Sequence, residues 1–188
     1  MKIENISMRF DDKVIFENFC FNFEESGIYV LNGASGKGKT TLFNIISGVL
    51  KADSGRVDLE GKRVSYMFQE NRLFPDFSVL ENVSCVTNQT AEDLMRCREI
   101  LQKLSLGDEL DSYPKELSGG MQRRVALARA LAYDADILLL DEAFKGLDEE
   151  TCKNAIDVVL EYSKDKLVVI SAHMLDRALF GKYTEIDI

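Results

Sequence analysis

A glycine-rich loop between a predicted strand and a predicted helix places the strongest constraint on the fold of this chain. Residues 33–40 read Gly-Ala-Ser-Gly-Lys-Gly-Lys-Thr, which fits the phosphate-binding pattern G-x-x-x-x-G-K-[ST] at every fixed position. An apolar run over 28–31 precedes the loop, and a helix is predicted over 39–47, ending at Gly48. Strand, loop and helix in this order predict an α/β fold that binds a nucleoside triphosphate.

The first third of the chain reads as β-structure. Phenylalanine at 19, 21 and 23 alternates with Cys, Asn and Glu, which predicts a strand with one buried face. Residues 2–8 are its predicted partner. Residues 57–60 and 64–68 flank Gly61-Lys62, and this arrangement predicts a β-hairpin.

The strand-like alternation ends at about residue 70, and the segment from there to about 117 reads as helical. A helix is predicted over 91–105 with its N-cap at Thr90. Further elements are then predicted: a helix over 119–132, a strand apolar on both faces over 137–141, a helix from Asp148 to about 163, and a buried strand over 167–170. We therefore expect an α/β fold with a mainly parallel central sheet, an N-terminal antiparallel β subdomain and an inserted helical subdomain. It would form one domain over 1–188, with a core lobe of 1–69 and 118–188 and the helical subdomain at about 70–117.

Composition and charge argue against several classes of protein. The 188 residues carry 23 basic and 32 acidic side chains, a net charge of −9, which argues against a nucleic-acid partner. An acidic residue interrupts the N-terminal segment, so no signal peptide is expected, and no apolar run approaches the roughly 20 residues of a membrane span. The cysteines lack metal-site spacing, so we expect free buried thiols in a reducing cytosol; they are Cys20, Cys85, Cys97 and Cys152.

The glycine loop carries specific chemistry. Its backbone N–H groups can turn inward around phosphate oxygens, Lys39 can neutralise the β and γ phosphates, and the Thr40 hydroxyl can ligate Mg²⁺. The candidate nucleotide contacts are Gly33, Ala34, Ser35, Gly36, Lys37, Gly38, Lys39, Thr40 and Thr41. The alternative is a Gly/Ser-rich surface loop, which the flanking strand and helix disfavour.

Two adjacent acids follow the buried strand over 137–140. Asp141, at the carboxyl end of that strand, can reach a metal ion. Glu142 points in a different direction and can polarise the attacking water. Acidic residues also cap ordinary strands, and it is the presence of the glycine loop that favours the catalytic interpretation.

Two further polar residues follow predicted strands, as Asp141 does. Gln69 ends the strand over 64–68, and its amide can bridge a metal and a water without charge. His173, the single histidine, follows the strand over 167–170 and is a candidate sensor of the γ-phosphate. In isolation, a surface glutamine and a solvated or core histidine would be the ordinary interpretations.

A second phosphate-binding pattern lies at residues 117–122, Leu-Ser-Gly-Gly-Met-Gln. It places Ser118, Gly119 and Gly120 at the start of a predicted helix, where N–H groups favour an anion. One chain with two half-sites suggests that the full site forms between two chains. Phe10 could stack on an adenine face, or it could equally be one of the core aromatic residues.

Taken together and in order, these motifs resemble an ATP-binding subunit of an ABC transporter over nearly the whole chain. The combination is specific because unrelated P-loop ATPases lack the Leu-Ser-Gly-Gly element. The resemblance implies ATP and Mg²⁺ as cofactors, with Thr40, Gln69 and Asp141 at the metal and Glu142 as catalytic base, assisted by Gln69 and His173. It also implies that Ser118, Gly119, Gly120 and Asp148 serve the dimeric nucleotide site, and that Phe10 stacks on adenine.

The resemblance implies partners as well. Two subunits, expected to form a homodimer, would close over two ATP molecules and drive a transmembrane permease, itself able to receive a solute-binding protein. Residues 70–83, just past Gln69, resemble the stretch that contacts the permease, and their detail is most similar to importers of the nitrate, sulfonate and taurine group. The expected location is the cytoplasmic side of the cell membrane, as a peripheral subunit.

The chain departs from the family pattern at Ala143, where proline usually follows the catalytic glutamate, and at Ser171-Ala172 before His173. Two alternatives stay open at this point. One is a soluble ABC-type ATPase without a permease, for example in cluster assembly. The other is a regulatory subunit that binds ATP without hydrolysing it, which the intact catalytic residues disfavour.

Overall fold

The computed structural model describes residues 1–171 and 180–188 of the chain. The strands in chain order are β1 (Lys2–Phe10), β2 (Lys13–Asn22), β3 (Gly27–Asn32), β4 (Ser54–Asp58), β5 (Val64–Met67), β6 (Ile137–Asp141), β7 (Leu167–Ser171) and β8 (Thr184–Asp187). The helices are α1 (Lys39–Ile46), α2 (Val79–Ser84), α3 (Ala91–Lys103), α4 (Gly119–Ala132) and α5 (Glu149–Tyr162).

The strands form two sheets. An antiparallel sheet has the order β2-β1-β4, and a parallel sheet has the order β5-β6-β7-β3-β8. The predicted pairing of the first two strands is confirmed, with Ile3 opposite Phe21 and Ile6 opposite Phe19. The predicted mainly parallel sheet with an antiparallel N-terminal part is also confirmed.

The predicted hairpin across Gly61-Lys62 is wrong. β4 pairs with β1 in the antiparallel sheet, whereas β5 pairs with β6 in the parallel sheet, Val64 lying opposite Ile137. The chain does turn at this point, with Lys62 N donating to Leu59 O at 3.0 Å. The turn carries the chain from one sheet to the other, because β5 finds its partner in the buried β6 and not in its neighbour in sequence.

Helix boundaries follow the capping residues. Thr90 is the predicted N-cap of α3 and forms a capping box with Asp93, and the Asp148 side chain accepts from Thr151 N at the start of α5. α4 has the predicted bounds. α2 was not predicted, although Ser78 and Glu81 form a capping box before it, a pattern visible in the sequence.

The parallel sheet lies between two apolar layers, and β6 shows why its sequence is apolar throughout. Leu138 and Leu140 pack in a core shared with helices α2 to α5, while Ile137 and Leu139 pack in a core shared with α1 and the antiparallel sheet. Side chains alternate between faces, so a strand covered on both sides needs apolar residues at every position.

The segment between β5 and α4 contains α2, α3 and two short 3₁₀ turns, Gly107–Glu109 and Pro114–Glu116. α2 and α3 pack against each other and against α4, which also contacts β5. Within the two described ranges, no helix has the length and apolar character needed to cross a bilayer.

Candidate active site

The glycine loop connects β3 to α1 at the carboxyl edge of the parallel sheet. Gly33 and Gly38 have positive φ values of 151° and 109°, and both are tightly packed. A Cβ atom on Gly33 would lie 2.8 Å from the carbonyl oxygen of Ile188, and one on Gly38 would lie 2.5 Å from Cγ2 of Ile15. Glycine is therefore required at both positions for backbone conformation and for space.

Lys39 opens α1 with its side chain folded back over the loop. Its Nζ donates to the carbonyl oxygens of Gly33 at 2.6 Å and Ala34 at 3.1 Å, and the residue is buried. The ammonium is thereby fixed beside the first residues of the loop. A positive charge held at a glycine-rich loop suits a phosphate chain.

A cavity of about 290 Å³ lies over the loop. It brings together ten of the predicted site residues, and Ile15 in addition. The predicted residues that line it are Phe10, Ser35, Gly36, Gly38, Lys39, Thr40, Thr41, Gln69, Asp141 and Glu142. Phe10, at the end of β1, is 46% exposed, so it is not the core aromatic residue of the alternative interpretation and can contact a ligand.

Asp141 is buried at the end of β6, and its carboxylate is contacted by three hydroxyl groups. Thr40 Oγ1 donates to its Oδ2 at 2.6 Å, Tyr66 Oη lies 3.4 Å from the same oxygen, and Ser171 Oγ donates to Oδ1. Burial, followed by the negative charge of Asp141, raises the pKa of Tyr66 well above its ordinary value, so the phenol stays a donor. These contacts fix the orientation of the carboxylate.

Glu142 follows Asp141 with a φ of 50°, a conformation uncommon for a residue that has a side chain. Its N–H donates to Ser171 O at 3.0 Å and to Ser171 Oγ at 3.1 Å. The turn directs its carboxylate to Gln69 Nε2 at 3.2 Å and Lys145 Nζ at 2.7 Å. The two acids thus face different partners, as the sequence predicted.

The Leu-Ser-Gly-Gly element lies outside this cavity, at the start of α4. Ser118 is the N-cap and accepts from Met121 N at 3.2 Å. A Cβ atom on Gly120 would be 3.6 Å from Leu147 Cδ2, so the element lies beside the turn that leads to Asp148. The two segments are near each other in space, and neither lines the cavity over the glycine loop.

Some site residues were missed or cannot be placed. His173 lies outside the described residues. Sequence reasoning did not identify Tyr66, Ser171, Lys145 or Arg123 as site residues. The pairing of β6 with β7, which sets Asp141 opposite Ser171, creates one of these contacts, and no local pattern predicts it.

Comparison with known proteins agrees with this geometry. Residues 16–145 match the family described as ABC transporter. The chain belongs to the ABC transporter family. It is 39% identical over 165 residues to a probable sulfate/thiosulfate import ATP-binding protein of Chlorella vulgaris, covering 80% of this chain and 70% of the relative. It is 36% identical over 197 residues to a taurine import ATP-binding protein of Ruegeria pomeroyi, covering 95% and 74%.

Solved ABC structures give the same result. A dimeric bacterial ABC transporter cassette, MJ0796, superposes with a TM-score of 0.82 at 27% identity, covering 98% of this chain and 94% of that one. The same cassette in a post-hydrolysis state bound to ADP and phosphate superposes with a TM-score of 0.81 at 26% identity, covering 98% and 95%. As an ABC protein with this site, the chain is an ATP-binding and ATP-hydrolysing subunit.

Proposed function

We propose that this ABC ATPase powers import of a small solute, by closing with a second copy of itself over two ATP molecules and moving a membrane permease. The observation that carries the proposal is the convergence of Lys39, Asp141, Glu142 and Gln69 on one cavity. The relatives described above are named as import ATP-binding proteins for sulfate and taurine, and a further one, of Bacillus cereus, for aliphatic sulfonates.

Glu142 is the proposed general base. Its carboxylate lies at the cavity and contacts Gln69 Nε2 at 3.2 Å, so the two side chains can hold a water between them and the γ-phosphate. The backbone N–H of Glu142 is held by Ser171, which fixes the base relative to Asp141. His173, proposed as the γ-phosphate sensor, follows β7 in the sequence.

The oxygen donors fit Mg²⁺. Thr40 Oγ1 and Asp141 Oδ2 are adjacent at 2.6 Å, and no cluster of three or more His, Cys, Asp or Glu residues suited to a metal occurs in the described part of the chain. Mg²⁺ typically uses one or two protein oxygens together with phosphates and water. Thr40, Asp141 and Gln69 would hold the ion, which would neutralise charge on the phosphates.

The second copy is proposed because Ser118, Gly119 and Gly120 form a helix N-terminus that does not line this chain's own cavity. N–H groups at a helix N-terminus favour an anion. We propose that they contact the γ-phosphate bound by the partner, with Asp148 at the same interface. The dimeric cassette superposes over nearly its whole length, which supports this arrangement.

The permease would dock beside residues 70–83. Phe74 and Phe77 are 49% and 40% exposed with ring centroids 5.1 Å apart, and Phe74 lines a groove of about 340 Å³. Buried Asn82 donates to the carbonyl oxygens of Phe74 and Phe77, which holds the loop in place. A fixed pair of exposed aromatic rings suits a protein partner, and binding there would place the ATPase at the cytoplasmic face of the membrane, where the permease could receive a solute-binding protein.

Replacing the base tests the chemistry. Glu142→Gln should reduce ATP turnover by about 10² or more, while binding of a fluorescent ATP analogue is retained. Glu25→Gln, at an exposed position outside the cavity, is the matched control and should leave turnover unchanged. Undiminished hydrolysis by Glu142→Gln would rule out this residue as the base.

Cross-linking tests the coupling. A photoreactive amino acid at Phe74, introduced in the native cells, should capture a multi-span membrane protein, whereas the same probe at exposed Val49 should not. Capture of water-soluble proteins alone at Phe74 would reject the permease and favour an ABC ATPase without one.

A further inference from the structure

Arg123 is a buried cation with an unusual number of backbone partners. It lies in the second turn of α4 and is 5% exposed. Its guanidinium makes six hydrogen bonds of 2.6–3.2 Å, three of them from the two N–H groups of Nη1; the acceptors are the carbonyl oxygens of Phe68, Gln69, Asp141, Glu142 and Ala143 and the side-chain oxygen of Asn71.

These acceptors belong to two segments that are far apart in sequence. One is the loop that follows β5 and carries Gln69, and the other is the end of β6 with the residues just beyond it. β5 and β6 pair in parallel only as far as Met67 opposite Leu140. Past this pair the sheet no longer joins the two segments, and the Arg123 guanidinium bridges them instead.

The chemistry of the side chain suits this bridge. Arginine offers five N–H donors in a rigid plane, whereas lysine offers a compact point charge. None of the six acceptors is a carboxylate, and burial lowers the pKa of Arg123. The charge is therefore accommodated by backbone dipoles, an arrangement that ties the position of each acceptor to the plane of the guanidinium.

The bridged segments carry Gln69 and Glu142, the two side chains proposed to hold the attacking water. Gln69 Nε2 and Glu142 Oε2 are 3.2 Å apart, and this distance depends on how the two segments are held. We propose that Arg123 is a positioning residue for ATP hydrolysis, which fixes the Gln69 loop and the Asp141–Glu142 strand end as one unit on α4. The proposal rests on the function proposed above.

The same helix begins with the Leu-Ser-Gly-Gly element. Ser118 caps α4 and Arg123 lies little more than one turn later. A displacement of α4 on contact with the partner subunit would therefore move the Gln69 loop and the base together. Arg123 links the half-site offered to the partner with the chain's own catalytic residues.

The test compares two adjacent arginines of α4. Arg123→Met removes the bridge at similar side-chain length. Arg124→Met is the matched control, since Arg124 donates to the carbonyl oxygens of Leu104 and Ser105, outside the site. Positioning errors of about 1 Å can reduce turnover by about 10², so we expect kcat of Arg123→Met to fall by about 10- to 100-fold with KM for ATP nearly unchanged.

Hydrogen exchange of the nucleotide-free protein gives a readout independent of activity. Amides of residues 68–71 and 141–143 should both exchange faster in Arg123→Met, and not in Arg124→Met. Equal kcat values for the two variants, or unchanged exchange in either segment, would overturn the proposal.

A third variant covers the case in which Arg123→Met does not fold. Arg123→Lys keeps the charge but loses the planar donors, so kcat should stay at least about fivefold below the parent. Full activity of Arg123→Lys would overturn the bridge. If the parent chain itself failed to hydrolyse ATP, the proposed function would fail, while the exchange measurements would still decide the role of Arg123.

Discussion

The Thr40 hydroxyl donates a 2.6 Å hydrogen bond to Asp141 Oδ2, joining the start of α1 to the end of β6 across 101 residues of sequence. The contact places the neutral hydroxyl oxygen of Thr40 and a carboxylate oxygen of Asp141 together in the cavity over the glycine loop. It follows from the sheet order, because β3 and β6 both end at the same edge, with β7 between them.

Loss of the Thr40 hydroxyl should weaken the metal dependence of nucleotide binding. Thr40→Val keeps the shape of the side chain but removes the proposed oxygen ligand of Mg²⁺, whereas Thr40→Ser retains it. Adding Mg²⁺ should raise the affinity for a fluorescent ATP analogue in both proteins. We expect the factor of this increase to be about tenfold smaller in Thr40→Val than in the parent. A valine variant with the full Mg²⁺ effect would show that Thr40 is not a ligand.

Gly38→Ala should abolish ATP binding. The added Cβ would lie 2.5 Å from Ile15 Cγ2 at a φ of 109°, so both the packing and the backbone must change. Gly61→Ala is the control, because Gly61 also has a positive φ, 77°, but open space around its Cβ position. It should lose only about 1 kcal/mol of stability, the usual conformational penalty, and bind ATP normally in a titration.

The contrast between the glycine loop and the region around Gly61 shows how much the sequence could predict. The loop, α4 and the buried strands carry local patterns, and these predictions were confirmed. The hairpin failed because the partner of β5 is β6, about seventy residues away, and alternation in one segment carries no information about a distant partner. The three hydroxyls on Asp141 and the Arg123 bridge likewise depend on strand order and register.

A pH-dependent contribution to stability is expected from Asp134. Hydrogen bonds from Arg96 and Lys166, together with their charges, lower the pKa of Asp134 to about 2 from an ordinary 3.8. The folded state thus prefers the ionised carboxylate. Its contribution is complete above about pH 4 and is lost as pH falls towards 2. Since the side chain is 52% exposed, the contribution is about 1 kcal/mol.

Asp134→Asn isolates this charge, because asparagine also tolerates the positive φ of 53° at this position. In urea unfolding, the variant should be about 1 kcal/mol less stable than the parent at pH 7 and at pH 5. The difference should shrink at pH 3. Asp165→Asn, at an exposed position, should change stability by less than about 0.5 kcal/mol. A difference for Asp134→Asn that is as large at pH 3 as at pH 7 would exclude the ionic explanation.

Gly119→Ala should distinguish an effect on the stability of one chain from an effect on a nucleotide site that two chains form together. A Cβ atom on Gly119 meets nothing within 4 Å in this chain, and alanine favours a helix by about 1 kcal/mol over glycine. The variant should therefore be as stable as the parent or more so. If the start of α4 contacts the partner's γ-phosphate, the added methyl group should nevertheless reduce ATP turnover by about tenfold or more, by displacing the N–H donors from the phosphate.

The same variant is a sharper probe than a change at Ser118, whose hydroxyl caps α4 and whose loss would cost about 1 kcal/mol by itself. Nucleotide binding to the chain's own loop should be unaffected by Gly119→Ala. Mixing experiments complete the test. Gly119→Ala and Lys39→Ala subunits should each have low turnover alone, whereas a mixed dimer keeps one intact composite site, made by the loop of the first and the α4 start of the second. Recovery of partial turnover on mixing is expected, and its absence would contradict a site shared between two chains.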